Sequence, residues 1–544
     1  MRKLAAFALA LTATAVSATP PLPPPPPPAP PPRLLIMLSV DQLSSDLFEA
    51  YRPLFSGGLS RLARGTVFRN GFQGHAATET CPGHSTILTG VRPGRSGIIG
   101  NVWIDQSASR ADKTIYCAED ERAPGSTSTA YKVSATHLRV PTLGDTLKRA
   151  IPASRTVAIA GKDRSAVMMG GAAPDQRFYW SGKAFVSDRP GALAPAAVRT
   201  NAAVAALVAA PQLPLDPPEA CIPRARVIPI EGGGDPVGNG RFARAAGDVA
   251  GFRASPAFDA TMLALAAALI GDLRLGGDTA PDILSIGLAG TDYVGHTYGS
   301  GGQEMCLQLL SLDRDLGDFF RLLDRAGIDY AVALTADHGI LDVPERLRAN
   351  GVADAARVDP ELAASRVGRA IGDKFGLKGP VLHGDFSGDM WLDRALKPAD
   401  RARATAEALA RYRAHPQVEA AFARKDIADT PIATTTPDRW TIAERFRASF
   451  DPARSGDLFV ALRRNVTPIA DTSNYVATHG SVWDYDRRVP ILFWRRGMQA
   501  SEREAPVETV DIMPTLAAML GLPAPQGIDG KCLMAIQGVA CPVR

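Results

Sequence analysis

The chain has 544 residues, of which 46% are hydrophobic and 21% are charged, and its formal net charge is +4 at pH 7. This length suffices for one large core with insertions or for two to three domains, and the composition is ordinary for a globular protein. Because the charge falls to about +2 without the two cations at positions 2 and 3, the charge balance gives no support to a nucleic-acid partner.

The first 33 residues are predicted to lie outside the folded core. Residues 1–18 combine Arg2 and Lys3 with an apolar stretch and small residues, which is the layout of a secretory signal peptide. The stretch is too short to anchor the protein in a bilayer, and no later segment approaches 18 uninterrupted apolar residues. Residues 19–33 are almost pure proline and predict an extended linker, with a proline-rich ligand as the less favoured alternative. We therefore expect a periplasmic or secreted protein without a transmembrane anchor.

Three apolar runs further along the chain predict strands that are buried on both faces of a parallel sheet. They span residues 34–40, 283–289 and 330–335, and they lead to Asp41, Asp292 and the pair Asp337 and His338. Between the last two runs, apolar residues spaced three or four apart predict a helix that ends at Gly327. Strand, helix and strand in that order form a parallel crossover unit.

The expected fold class is α/β, with a central, mostly parallel sheet flanked by helices. A helix over 141–150 followed by a strand at 156–160 agrees with this class, and ligands of such open sheets bind beyond the carboxyl ends of the strands. The core is predicted to comprise residues 34–340 and 471–544. Residues 341–470, with a helical stretch at 398–415, predict an inserted α/β cap. This cap and a second inserted segment at about 165–250 would overhang the site.

Aspartate and histidine residues follow strands or stand in glycine-bearing loops in four distant segments. They are Asp41, Asp292, His296, Asp337, His338 and His479. Carboxylates and neutral imidazoles are zinc ligands, and six of them can form two sites of three ligands each, with positions open for substrate and water. Each residue alone also fits an ordinary structural role, such as capping a helix, so the prediction of a metal centre rests on the combination. An additional Ca²⁺ site is conceivable, but no Asp-rich loop with suitable glycine spacing supports one.

The segment 78–90 contains two candidate nucleophiles, Thr78 and Thr80, ahead of Cys-Pro-Gly and a helix-like apolar stretch. A hydroxyl at such a turn lies near a helix N-terminus, where backbone N–H groups favour phosphate. A threonine hydroxyl is a poor nucleophile at neutral pH, and coordination to zinc can activate it. The alternative for either threonine is a helix N-cap.

Six motifs in this order resemble the alkaline phosphatase superfamily. They are Asp41, Thr80-Cys-Pro-Gly-His84, Asn101, Asp292-x-x-x-His296, Asp337-His338-Gly339 and His479-Gly480, within residues 34–530. The chain is most similar to the bacterial threonine-nucleophile alkaline phosphatases of the branch that also holds type I phosphodiesterases and nucleotide pyrophosphatases.

The resemblance implies two zinc ions per subunit and a covalent mechanism. One ion would be held by Asp292, His296 and His479, and the other by Asp41, Asp337 and His338 together with Thr80. The family position directly before Cys-Pro-Gly makes Thr80 rather than Thr78 the expected nucleophile, with a phosphothreonine intermediate that water hydrolyses. Zinc at Asp292 would assist the leaving oxygen and supply that water.

Lys162 and Arg164 bear on which ester is cut. A phosphate monoester brings two negative charges and gains from cationic donors, whereas a diester brings one. The Lys-x-Arg pair is similar to the one with which threonine-type alkaline phosphatases hold phosphoryl oxygens, and Asn101 matches their remaining donor. We therefore expect an exported zinc-dependent hydrolase of small-molecule phosphate monoesters.

Two alternatives to this function stay open. A phosphodiesterase or nucleotide pyrophosphatase would use the same site, and Lys162 and Arg164 speak against it. A non-catalytic exported binding protein is a more distant alternative, which the complete set of ligands and Thr80 disfavours. The sequence carries no signal for an oligomeric state.

The six cysteines include no Cys-x-x-Cys pair, which argues against a cysteine zinc site. In an oxidising compartment they can form disulfides. Cys532 with Cys541 is the first expected pair and Cys117 with Cys221 the second. Sulfatases of the same superfamily use a modified cysteine within the pattern Cys-x-Pro-x-Arg, which is missing here. Cys81 is therefore expected to be a packed thiol.

Overall fold

The computed structural model describes residues 30–534 and 536–541 of the chain. The expected signal peptide at 1–18 and the linker up to residue 29 lie outside the described residues. The strands of the described part are, in chain order, β1 Leu34–Val40, β2 Thr66–Phe72, β3 Val102–Ile104, β4 Thr114–Tyr116, β5 Thr156–Ala160, β6 Gln176–Trp180, β7 Phe185–Val186, β8 Asp282–Leu288, β9 Tyr330–Thr335, β10 Ala356–Arg357, β11 Leu382–His383, β12 Gly388–Leu392, β13 Val418–Ala423, β14 Leu458–Leu462, β15 Val466–Thr467, β16 Arg488–Arg495, β17 Ser501–Arg503 and β18 Val507–Glu508.

The α-helices of the same residues are α1 Ser45–Tyr51, α2 Gly58–Leu62, α3 Thr80–Thr89, α4 Pro93–Ser96, α5 Leu143–Ala150, α6 Asp163–Gly170, α7 Pro195–Ala209, α8 Val249–Arg253, α9 Pro256–Leu273, α10 Gly290–Tyr298, α11 Gln303–Arg325, α12 Pro344–Ala349, α13 Ala364–Phe375, α14 Pro398–Ala414, α15 Arg424–Asp429, α16 Ile442–Ser449, α17 Asp484–Arg487 and α18 Ile512–Met519. Short 3₁₀ turns span Arg52–Leu54, Glu219–Arg224, Pro360–Leu362, Pro437–Arg439 and Thr509–Asp511.

The central sheet has the strand order β17-β2-β16-β9-β1-β8-β5-β6-β7, and β18 also pairs with β2. The five strands from β9 to β6 in this order are mutually parallel. Strand β16 runs antiparallel to both β9 and β2, and β7 runs antiparallel to β6. The prediction of an α/β fold with a mostly parallel central sheet is confirmed.

Strand β1 shows why its sequence is continuously apolar. All seven of its residues are buried. Successive side chains of a strand point to opposite faces, so both faces of β1 need apolar residues. Leu34, Ile36, Leu38 and Val40 join the core cluster that includes α2, α9 and α11. Leu35 and Met37 join the cluster on the other face, which includes α3, α5 and α18. The sheet is therefore the middle layer between two layers of helices.

Helix α11 provides the predicted crossover between β8 and β9, which lie on either side of β1. Helix α5 begins after Thr142, whose side chain accepts a hydrogen bond from the backbone N–H of Asp145. The Asp145 carboxylate in turn accepts from the backbone N–H of Thr142. This reciprocal capping satisfies two donors that the first turn of a helix leaves unpaired.

The segment at about 165–250, expected to be an insertion, contains β6 and β7, which extend the central sheet. Its sheet-forming part belongs to the core because Phe178 and Phe185 pack in the same cluster as α9. Within 341–470, strands β11 to β14 form a separate four-stranded antiparallel sheet. Helices α13 and α14 share its apolar cluster.

All six cysteines form disulfides. The expected pair Cys532–Cys541 is confirmed. The expected pair Cys117–Cys221 is wrong, because Cys117 pairs with Cys81 and Cys221 pairs with Cys306. Cys81 is therefore not a free thiol. The tertiary packing decides both pairings: the end of β4 lies against the start of α3, and the 3₁₀ turn at 219–224 lies against α11.

Helix α9 is the one helix of the described residues that is long and apolar enough to cross a membrane, with a mean hydropathy of 1.4 over 18 residues. More than half of it is buried, and it packs between α7 and α11 in the core. These contacts are those of a core helix in a large α/β protein.

Candidate active site

Three aspartates meet where neighbouring parallel strands end. Asp41 directly follows β1, Asp292 lies in the first turn of α10 after β8, and Asp337 stands two residues after β9. Because β1 lies between β8 and β9, their carboxyl ends form one continuous edge. All three side chains are at most 1% exposed. Asp292 and Asp337 are 251 and 296 residues away from Asp41 in the sequence, yet all three share one buried site.

The three histidines predicted as ligands point their Nε2 atoms at this edge. The Nε2 of His338 lies 3.4 Å from Asp41 and 3.3 Å from Asp337. The Nε2 of His296 and His479 lie 3.3 and 3.7 Å from Asp292. All six predicted ligands are thus brought together, with His338 on the side of Asp41 and Asp337, and the other two histidines on the side of Asp292.

Each of these histidines has its Nδ1 next to a backbone carbonyl. The distances are 2.8 Å from His296 to Ala477, 3.0 Å from His338 to Gly339 and 2.8 Å from His479 to Thr78. A neutral imidazole that donates from Nδ1 keeps the lone pair of Nε2 free, which is the state in which histidine binds metals. Burial lowers the pKa of His338 to about 4 and that of His479 well below its usual value, so both rings are neutral at pH 7.

The site holds more carboxylates than cations, because Lys162 is the one cation of the described residues that lies between Asp41 and Asp292. Lys162 Nζ lies 2.8 Å from Asp41 and 2.6 Å from Asp292. Burial, together with Asp292 and Asp337, raises the pKa of Asp41. Burial opposes ionisation of Asp292 as well, but Lys162 and His296 hold its pKa well below the usual value. Uncompensated carboxylates in a buried site are costly unless cations or metals balance them.

These residues fit metal ions by their chemistry and by their unused atoms. Asp41 Oδ1 and His338 Nε2 are buried and have no hydrogen-bond partner. Asp41 Oδ2 faces Lys162 Nζ at 2.8 Å, and Asp337 Oδ2 faces His84 Nδ1 at 3.0 Å. Two groups of three have ligand atoms within 4.8 Å of one another: Asp292, His338 and His479, and Asp41, His84 and Asp337. His84 is the unexpected member of the second group. His338, which was expected with Asp41 and Asp337, also comes close enough to Asp292 and His479 to fall in the first group.

The Nδ1 of His84 lies 2.9 Å from the Thr80 carbonyl oxygen and 3.0 Å from Asp337 Oδ2. These protein contacts engage the nitrogen that faces the site. His84 therefore holds the Asp337 carboxylate in place.

Thr80 is the first residue of α3 and is fully buried. Its Oγ1 lies 3.4 Å from both Lys162 Nζ and Arg164 Nη2. Lys162 and Arg164 converge because Lys162 is the extended N-cap of α6 and Arg164 lies in its first turn. Their alignment therefore comes from the start of a helix. Thr78 lies elsewhere, with its hydroxyl donating to the Ser481 carbonyl at 2.7 Å.

Asn101 lies beside the start of α3. Its side-chain Oδ1 accepts a hydrogen bond from the backbone N–H of Cys81 at 2.8 Å, and its backbone N–H donates to Glu79 Oε2 at 2.6 Å. Its carbonyl accepts from the N–H of Cys117, which forms the disulfide with Cys81. With Oδ1 engaged in this way, the amide N–H₂ of Asn101 is the part of the side chain left to donate to a ligand.

The Lys162–Arg164 segment is fixed by two tyrosines. Tyr116 and Tyr131 donate to the two carboxylate oxygens of Asp163, each at 2.7 Å. Tyr116 ends β4, next to Cys117. One small two-stranded unit, β3–β4, thereby connects Thr80, Asn101 and Arg164.

Gln42 is a site residue that the sequence analysis missed. It has a left-handed backbone with φ of 72°. Its backbone N–H donates to Asp337 Oδ1 and its side-chain Nε2 donates to Asp292 Oδ1, both at 3.1 Å. A Cβ on Gly295 would lie 1.7 Å from Gln42 Oε1, so a larger residue at position 295 would displace the Gln42 amide. The dipeptide Asp41-Gln42 gave no signal for these contacts.

Asp259 is a second missed residue, and it supports α10. It is buried, and its Oδ1 and Oδ2 accept from the N–H of Gly290 at 2.7 Å and from Gln308 Nε2 at 2.9 Å. Burial raises the pKa of Asp259 to about 7, despite these hydrogen bonds. A raised pKa in the folded state means that the folded protein binds this proton more tightly than the unfolded chain.

The Asp259→Asn substitution tests this linkage. Asp259 contributes stability that is fully present below pH 4 and is lost as the pH rises to about 7. Asparagine has no such titration, and it can still accept from Gly290 and can donate to Gln308 Oε1 once that amide flips. Relative to wild type, the variant is expected to gain up to about 4 kcal/mol in free energy of unfolding between pH 4 and pH 8.

Chemical denaturation of both proteins at each pH measures this difference, in which contributions common to the two proteins cancel. Asp235→Asn, at an exposed position, is the matched control. A difference between wild type and Asp259→Asn that does not change with pH contradicts the prediction.

The fold and the site define the class of the protein, which is the alkaline phosphatase superfamily. Within it, the chain belongs to the type I phosphodiesterase / nucleotide pyrophosphatase family, whose sequence model matches residues 35–482.

Relatives are similar over nearly the whole chain. Alkaline phosphatase PhoK from Sphingomonas sp. is 51% identical over 513 residues, covering 93% of this chain and 91% of that protein. Alkaline phosphatase PhoD from Zymomonas mobilis is 44% identical, covering 94% and 90%. The crystal structure of alkaline phosphatase PafA matches with a TM-score of 0.81 and 25% identity, over 93% of this chain and 99% of that chain. A protein of that name from Elizabethkingia meningoseptica is 28% identical over 533 residues.

Proposed function

We propose that the protein is an exported, zinc-dependent alkaline phosphatase that hydrolyses small-molecule phosphate monoesters through a phosphothreonine at Thr80. The observation that carries this proposal is the position of two cations, Lys162 Nζ and Arg164 Nη2, each 3.4 Å from Thr80 Oγ1. A phosphoryl group attacked by Thr80 would have its oxygens within reach of both. The names of PhoK, PhoD and PafA support the same activity.

Two zinc ions are the metals that this donor set suits, because it consists of carboxylates and neutral imidazoles. Asp292, His296 and His479 would hold one, and Asp41, Asp337 and His338 with Thr80 the other. Bound there, zinc would lower the pKa of an oxygen nucleophile and stabilise charge on the transferred phosphoryl group.

The residues of the chain carry out the remaining work. Thr80 Oγ1 forms a bond to phosphorus while the bond to the leaving oxygen breaks, and in the second step water displaces Thr80 and releases phosphate. Lys162, Arg164 and the Asn101 amide hold the non-bridging oxygens, where charge-assisted hydrogen bonds are strong. The first turn of α3 adds the favourable potential of a helix N-terminus.

The test compares p-nitrophenyl phosphate with its bis-ester over a range of pH, with and without a chelator. We expect preferential hydrolysis of the monoester, loss of turnover with chelator and recovery with Zn²⁺. Preference for the bis-ester would contradict the monoesterase proposal, and turnover that resists chelation would exclude the metal site.

A phosphodiesterase or nucleotide pyrophosphatase is the second candidate, because the matching family model carries that description. A diester has one charge and a second organic group to accommodate. A buried and a half-buried cation beside Thr80, Lys162 and Arg164, suit the doubly charged monoester better, so the first candidate is preferred. The bis-ester measurement decides between the two.

Gln42 gives a prediction for metal binding that does not depend on turnover. Both Gln42→Ala and Gln42→Gly remove the amide that donates to Asp292. We expect each to lower zinc affinity about tenfold or more, since groups that orient metal ligands have effects of that size. Gln42→Ala should also be about 1–2 kcal/mol less stable than Gln42→Gly, because alanine has a strained left-handed backbone and glycine does not.

Zinc content after dialysis against a weak chelator measures the first effect, and denaturant unfolding measures the second. Wild-type zinc retention in both variants would show that Asp292 needs no support from Gln42. Equal stability of the two variants would show that position 42 relaxes.

We also propose that residues 1–18 direct export and that residues 341–470 form a cap. Support for export comes from the signal-peptide pattern and from three disulfides, which persist in oxidising compartments. Support for the cap comes from Gln106, in the connection between β3 and β4, whose Nε2 donates to the carbonyl of Leu392 at the end of β12 at 2.9 Å. The sheet of residues 341–470 therefore lies against the segment that follows Asn101.

A further inference from the structure

A group of side chains outside the proposed machinery borders the Asp292 side of the site. The Tyr293 ring, next to Asp292 on α10, lies 5.4 Å from Lys162 Nζ and 4.8 Å from the Arg253 guanidinium carbon. The Tyr475 ring packs on His296 with centroids 4.6 Å apart and is 39% exposed. This border therefore runs from the buried Lys162 to solvent, and Arg253 lies along it.

Arg253 has no anionic partner within the described residues. It is the last residue of α8, and its Nε is buried without a hydrogen-bond acceptor. Its contact is with the Tyr293 ring. Some other buried or half-buried arginines have carboxylate partners, such as Arg346 with Asp342. Others, such as Arg244, donate to backbone carbonyls. A guanidinium with unused donors, one aromatic ring away from Lys162, is suited to bind an anion.

We propose that Arg253 binds a second anionic group on the leaving-group side of the substrate. The inference rests on the proposed function and deepens it. In an in-line displacement the leaving group departs on the side opposite Thr80. The half of the site around Asp292 is expected to face the leaving group, and Tyr293 and Arg253 lie beyond this half. The favoured substrates are phosphoryl compounds whose leaving group carries another phosphate or a carboxylate, such as nucleoside diphosphates or phosphorylated hydroxy acids.

The test compares three substrates in wild type, Arg253→Ala and Arg253→Lys. Glycerol 2-phosphate is the reference, 2-phosphoglycerate replaces one of its CH₂OH groups by a carboxylate, and ADP provides a leaving group with a phosphate. We expect the ratio of kcat/KM for an anionic substrate to that for glycerol 2-phosphate to fall about tenfold in Arg253→Ala. Arg253→Lys, which keeps the charge, should restore part of the ratio.

A fall confined to ADP assigns a phosphate as the recognised group, and a fall confined to 2-phosphoglycerate assigns a carboxylate. An unchanged ratio in both arms overturns the inference, even if the absolute rates drop. Arg369→Ala, at an exposed position on α13, is the control for general loss of positive charge. Failure of the wild type to hydrolyse glycerol 2-phosphate would instead contradict the proposed function, so the two failures are distinguishable.

Discussion

Thr80→Ala is expected to lower kcat/KM for a phosphate monoester at least about a thousandfold, because it removes the attacking oxygen itself. Thr80→Ser, which keeps a hydroxyl on the same atom position, should retain the covalent route. Steady-state kinetics measure the loss. Mass spectrometry of acid-quenched protein should find a phosphoryl adduct on the residue at position 80 in both wild type and Thr80→Ser.

Thr80→Ala is also expected to keep its fold and its metals, since three other proposed ligands remain at each zinc and the disulfide at Cys81 is unchanged. Zinc content and denaturant unfolding check this. Turnover at the wild-type rate in a metal-loaded Thr80→Ala protein would mean that water attacks phosphorus directly.

Arg164→Ala is expected to lower kcat/KM more for a phosphate monoester than for a diester. Removing one charged donor from the oxygens of a transition state costs about 10²–10³ in rate, and a monoester presents more charge to that donor than a diester. We therefore expect a loss of that size for p-nitrophenyl phosphate and a smaller loss for its bis-ester. The measured quantity is the ratio of the two kcat/KM values.

Arg164→Lys is the matched variant, because lysine keeps the charge but lacks the planar pair of donors. It should recover only part of the monoesterase activity. An equal loss for both esters in Arg164→Ala would mean that Arg164 supports the shape of the site and does not select the substrate.

The sequence predicted the sheet and the residues at its edge because both depend on local patterns. Buried parallel strands need apolar residues on both faces, so β1, β8 and β9 were visible as uninterrupted apolar runs. Asp41, Asp292 and Asp337 follow these runs within a few residues, and strand ends of a parallel sheet meet at one edge. The resemblance to a known family then assigned roles to residues that the pattern alone could only group.

What the sequence did not predict depends on contacts between distant segments. Gln42 hydrogen bonds to residues 250 and 295 positions away, through a backbone conformation that no local motif announces. The pairing of Cys81 with Cys117 follows from the packing of β4 against α3. Likewise, β6 and β7 are too short and mixed in composition to be recognised as the continuation of the central sheet.

The position of β16 in the sheet has a consequence for the order of events in biosynthesis. Strand β16, near the end of the chain, lies between β2 and β9, so the sheet stays open until residues 488–495 are made. His479 also belongs to this last stretch. A nascent chain can therefore assemble neither the complete sheet nor the complete set of six ligands. If the chain is exported before it folds, stable loading of both metals happens only after translocation, with the zinc available outside the cytoplasm.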